Sequence, residues 1–245
     1  MTEQYFSEFV KIRADFGQRI KEWTLGLPDL DQALMQLATL SGENNYSIET
    51  PIVYNRALDD ITRESDIKWI VVADNPGKKE QEAGRQRYLV GTSGMMAERF
   101  FMKELSVDFR KETAVINKTP IHSPKTAQLR KLVQIYPEAK PIIEESQLFM
   151  ASMLLCLQAC FDAKVWVMGL SELRPAGLFS AWLAKLKELY KSAEKKYTDE
   201  LYFFNHFSMG SFSADLARRR KPAESAHEAV LRIGTENRTI IMDRF

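Results

Sequence analysis

The chain has 245 residues, 45% of them hydrophobic and 27% charged, with a formal net charge of +1. That size suits one large domain with a sizeable core. The near-neutral balance excludes a globally basic nucleic-acid binder, so any electrostatic footprint must be local. No apolar run reaches the roughly 18 residues of a membrane span, and the start, MTEQYFSEFVKIRADF, lacks a secretory signal's apolar segment. The expectation is a cytoplasmic protein. The only cysteines, Cys156 and Cys160, read as two buried thiols on one helix face. Two thiols cannot make a four-thiolate zinc or iron–sulfur site.

In chain order, the first 65 or so residues read as mainly helical, with a turn or short extended piece at 41–53. They form an extension packed on a core spanning 66–245, within one domain. Four β-rich apolar runs follow: 67–73 (IKWIVVA), 113–118 (TAVINK), 163–169 (AKVWVMG) and 200–205 (ELYFFN). Each is nearly continuous rather than alternating, as in strands covered on both faces. Helical patterns lie between them. One covers 91–105. A long one at 138–161 is almost wholly apolar in its second half. A third runs over 171–196 from a serine N-cap candidate to terminal lysines. A basic helix at 213–234 and a short run at 238–245 close the chain. Strands alternating with helices predict an α/β protein, a three-layer α/β/α sandwich around a four-stranded parallel sheet.

Ligands of open parallel sheets bind beyond the carboxyl ends of the strands. Here those ends carry Asp74 and Asn75, then Asn117 and Lys118, then Gly169 and Ser171, then Asn205 and His206. Rival motifs are incomplete. There is no Gly-x-x-x-x-Gly-Lys phosphate loop. Gly169–Leu173 lacks the second glycine of a nucleophile elbow. His227 has no second histidine at metal-binding spacing.

The ordered strand-end motifs resemble the uracil-DNA glycosylase superfamily. Ala73-Asp74-Asn75-Pro76-Gly77 is similar to that family's Gly-x-Asn-Pro-Gly or Gly-Glu-Ala-Pro-Gly turn. Residues 88–94 (YLVGTSG) match its glycine-rich helix start, Asn117-Lys118-Thr119-Pro120 its Asn-x-x-Pro, and His206-Phe207-Ser208-Met209, loosely, its His-Pro-Ser. The likeness spans about 67–215. Leu89 stands where many relatives carry a base-stacking phenylalanine, and Phe207 where proline is usual.

The resemblance implies a monofunctional glycosylase of base-excision repair. It would flip uracil or a related deaminated base out of DNA and hydrolyse its N-glycosidic bond without metal or cofactor, as a monomer. Asp74 or Asn75 would hold the water, and His206 would donate to the departing base. Asn117 would read the base edge, with Tyr88 or Leu89 as the floor and Gly77 allowing close approach. Ser208, Lys78, Lys79, Arg218 and Arg219 would contact DNA phosphates, with Arg85, Arg87, Arg220 and Lys221 beside them and His122 near the DNA. Met209 would be the wedge that fills the vacated stack. The alternatives are a purine (hypoxanthine or xanthine) glycosylase, and a weak or inactive glycosylase-fold module that binds DNA or nucleotides.

Overall fold

The computed structural model describes residues 1–43 and 46–243. Helices α1 (Glu3–Gly26) and α2 (Leu30–Leu40) precede strand β1 (Trp69–Ala73). Then come α3 (Thr92–Phe100), which runs into a π turn at Phe101–Leu105, α4 (Phe109–Glu112) and β2 (Thr113–Asn117). Helices α5 (Gln128–Ile135) and α6 (Ala139–Phe161) lead to β3 (Lys164–Met168). After α7 (Ser180–Ser192), α8 (Lys195–Asp199) and β4 (Leu201–Phe204), the chain ends in α9 (Ser211–Arg219) and α10 (Ala226–Asp243).

The sheet is wholly parallel in the order β2-β1-β3-β4. Side chains alternate between two faces, and both are buried, which is why the strands read as unbroken apolar runs. One face, with Ile70, Val72, Ile116, Val167 and Phe203, packs under α1, α2, α5, α6 and α7. The other, with Val71, Val115, Trp166 and Phe204, packs under α3, α4, α9 and α10. The molecule is therefore an α/β/α sandwich. The extended piece expected at 41–53 is reduced, among the described residues, to one bridge between Ile52 and Ile121. Asn44 and Asn45 lie outside the described residues.

Three helix expectations are corrected. The third helical pattern begins at Ser180 rather than Ser171, because Pro175 and Gly177 interrupt its first turns. The basic helix is two helices, α9 and α10. They break at 220–225 around Pro222, which cannot continue a helix. Ala223 there takes a left-handed φ of 64°. The run expected at 238–245 continues α10 through Asp243, and its last two residues lie outside the described ones. The cysteine reading is corrected too. Cys160 is buried but Cys156 is exposed, since four residues turn a helix by about 40° beyond a full revolution.

Candidate functional site

With the order β2-β1-β3-β4, the chain leaves β1 toward one side and β3 toward the other. The crevice of such a sheet opens between the carboxyl ends of those two strands. Asp74 follows β1 and Gly169 follows β3. Gly169 has φ +87°, and a Cβ there would lie 2.4 Å from Asp74 Oδ1. Only glycine both adopts that conformation and leaves the carboxylate its space.

Lys118 closes the arrangement from beneath. Its side chain is fully buried, and Nζ donates to Asp74 Oδ1 and to the Met168 carbonyl, each at 2.5 Å. It also lies 5.0 Å from the Phe179 ring and 5.8 Å from Trp182. Burial pushes this ammonium below its usual range, while Asp74 pulls it back up. One lysine thus ties the ends of β2, β1 and β3 together at the carboxylate. Its packing against Phe179 and Trp182 turns it toward the α7 face of the sheet.

The turn itself is clamped by the segment after β2. Asn75 Nδ2 donates to Ser123 Oγ (3.0 Å), and its Oδ1 accepts from Thr126 Oγ1 (2.9 Å). The Pro76 carbonyl accepts from Ser123 N–H (3.2 Å) and pairs with His122 Nδ1 at 2.8 Å. Burial pushes His122 down to about 4, so the ring is neutral and Nδ1 carries the shared proton. The expectation of His122 near DNA is corrected: the ring is fully buried behind the turn, against Tyr46.

A cleft of about 330 Å³ opens above this turn, in the range of roughly 300–1,000 Å³ usual for small-molecule sites. Asp74, Asn75, Gly77, Glu80, Leu89 and His206 line it, with Ser208 and Met209 on one rim and Lys125 on the other. His206 Nδ1 accepts the Ser208 N–H at 3.0 Å, which leaves the proton of the neutral ring on Nε2. Burial lowers the His206 pKa, Asp74 opposes this, and Lys118 adds to it. The cleft therefore holds a carboxylate beside a buried cation, and a neutral imidazole whose Nε2–H is a donor.

Asn117 does not line the cleft. It is fully buried, and neither amide atom has a hydrogen-bond partner among the described residues. Its ladder partner Ala73 does line the cleft, and its side chain lies on the sheet face that packs Tyr88 and Leu89.

The other expected positions divide. Leu89 lines the cleft with a left-handed φ of 51°. Tyr88 does not: it is buried in the core, and its hydroxyl donates to the Val53 carbonyl. Met209 is 99% exposed at a left-handed φ of 54°.

None of the expected phosphate-binding cations lines the cleft. Lys78 pairs with Glu43, Arg85 with Glu82 and Arg87 with Asp60; Lys79 is exposed. Arg219 bonds Asp215, Glu236 and Asn237, and Asn237 in turn reaches the Phe203 carbonyl. It thus fastens α9 to α10 at mid-height of the sheet. Arg218 pairs with Asp215 but is largely exposed. Lys221 N–H and Arg220 Nε bond Glu224 and close the 220–225 turn.

Lys118 was legible in the sequence as a rim residue but without a role; Glu80, Ser123 and Thr126 carried no signal there. Compared with known proteins, the chain matches no family model and no curated sequence.

Proposed function

We propose that this protein is a monofunctional DNA glycosylase that removes uracil or a related deaminated base. The observation that carries the reading is the pairing, in one cleft at the switch point of the sheet, of Asp74 with a neutral His206. Hydrolysis of an N-glycosidic bond needs negative charge near a developing oxocarbenium ion and a donor for the departing base. Asp74 supplies the first and can take the proton of the attacking water. His206 supplies the second through Nε2–H, with its Nδ1 already occupied. A neutral imidazole stabilises growing charge on a base oxygen without having lost its proton beforehand.

The C1′–N bond breaks with its electron pair leaving on the base, and water oxygen bonds C1′. Asn117 is fully buried and does not line the cleft, so this reading gives its amide no contact with the base. Met209 stands free to occupy the space left by a flipped nucleotide. Asn75 acts chiefly as a clamp in this reading, because both ends of its amide are engaged by Ser123 and Thr126.

The test is a cleavage assay on single- and double-stranded oligonucleotides carrying one uracil or one hypoxanthine, followed by alkali. An abasic site at the modified position is expected, unaffected by a chelator and without a borohydride-trapped adduct. No release of any base would end the reading, and hypoxanthine alone would move it to purines.

A further inference from the structure

Glu80 is a second carboxyl group in the cleft, and its surroundings are opposite to those of Asp74. Where Asp74 rests on a buried lysine, Glu80 rests on backbone. It is 8% exposed, and its Oε2 accepts from the Gly77 N–H at 3.0 Å. The same carboxyl faces the N–H groups of Leu89 and Val90. Gly77 ends the turn that carries Asp74, whereas Leu89 lines the cleft further along the same loop, with Val90 next to it. Leu89 is also held from its other side. Its carbonyl accepts from Arg110 Nη2 at 2.5 Å, and it lies so close to Gly94 that a Cβ there would fall 1.5 Å from the Leu89 oxygen. A leucine in the left-handed region costs roughly 1–2 kcal/mol and persists only where its surroundings over-determine it.

We propose that Glu80 is a positioning residue of the cleft: its buried carboxyl joins the Asp74–Gly77 turn to the Leu89–Val90 segment and holds Leu89 in its left-handed conformation against the pocket. The consequence for base capture rests on the glycosylase reading; the brace does not.

The brace also answers to pH. Burial pushes Glu80 up to about 7, although the N–H groups of Gly77, Leu89 and Val90 and the Arg110 guanidinium pull it down. The other titratable groups around it are the Tyr88 phenol, which Glu80 helps to raise, and Asp74, Lys125 and His206 in the same cleft. Released into water, the carboxyl titrates near its ordinary 4.5. The closed segment therefore binds a proton more tightly than the open one. Opening becomes more favourable as pH rises from that ordinary value to about 7, and levels off above it.

Amide hydrogen exchange on the DNA-free protein tests this. In the wild type, protection at Leu89 and Val90 should fall about tenfold between pH 6 and pH 8, beyond the ordinary base-catalysed acceleration. Glu80→Gln, nearly isosteric and without charge, should abolish that step. Glu80→Ala should lower protection at both pH values by about tenfold or more, with the melting transition showing that the fold persists. On DNA, Glu80→Ala should raise the half-saturating concentration more than it lowers the maximal single-turnover rate. Wild-type protection in Glu80→Ala, or an unchanged pH step in Glu80→Gln, overturns the proposal. If the amides respond as expected but the wild type releases no base, the brace stands and the glycosylase reading falls.

Discussion

Asp74 and His206 line the same cleft from two differently built banks. Asp74 stands on a turn whose side chains and carbonyls are bonded by Lys118, Ser123, Thr126 and His122, all from the segment after β2. His206 stands on a turn whose side-chain bond is the local one from Ser208 N–H, and that turn leads to a fully exposed methionine. In the proposed function, the contrast follows from what each bank would have to do. A charge that stabilises a transition state must be in place before the reaction, because reorganising it during the reaction would cost what it was meant to contribute. A side chain that enters a DNA stack must remain accessible and be free of partners in the resting protein. The clamped bank is therefore where substitutions should cost stability and rate together, and the other bank is where function should separate from stability.

The largest effect is expected at Lys118. Removing one member of a buried ion pair typically costs about 3–5 kcal/mol, because the survivor is left uncompensated. Lys118→Met should show this in denaturant unfolding, and adding Asp74→Asn should restore much of the loss. If Lys118→Met unfolds like the wild type, the turn is not held by this pair. Next come the reacting groups. Asp74→Asn and His206→Ala should each lower the single-turnover rate about 100-fold or more while changing DNA affinity little. Wild-type rates in both would remove the catalytic assignment from both banks.

Asn75 comes next and sharpens the division within the clamped bank. Its position in the Asp-Asn-Pro-Gly turn marks it as a water holder by resemblance, yet its amide is spent on Ser123 and Thr126. Asn75→Ala should therefore cost about 1–2 kcal/mol of stability and lower the rate well short of Asp74→Asn. An equal or larger rate loss, with unchanged melting, would return the water to Asn75.

The strands were legible because burial on both faces leaves an unbroken apolar run, as in the Ile70–Ala73 stretch. The rim was legible because the polar residue after each run must fall at one edge of a parallel sheet. The burial of Lys118, Glu80 and His122 was not. It depends on loops that meet in space from distant parts of the chain, which no local pattern encodes. Tyr88 and Leu89 show the same limit at the scale of one residue. Leu89 lines the cleft with a left-handed φ while Tyr88 does not line it, and nothing in the residue type announces that φ. Basic clusters misled for a related reason. Arg219 reads as a free cation in sequence and is a fastener in the fold, because its acidic partner Glu236 lies on the following helix.

The smallest effect on stability belongs to Met209, and it separates the banks most cleanly. Met209 is almost fully exposed, so its truncation removes little packing. Met209→Ala should leave stability within about 0.5 kcal/mol of wild type. Its backbone lies in the left-handed region, with φ at 54°, which glycine adopts freely. Met209→Gly should therefore stabilise the protein slightly, by at most about 1 kcal/mol. The same substitution should slow release of a base from duplex DNA severalfold, because nothing then fills the vacated stack. A single-stranded substrate has no partner strand to reclaim its base, so its rate should stay near wild type. Melting curves and parallel single-turnover assays on the two substrates check this. Equal slowing on both would make Met209 part of the pocket, and no slowing on either would make the turn an ordinary exposed loop.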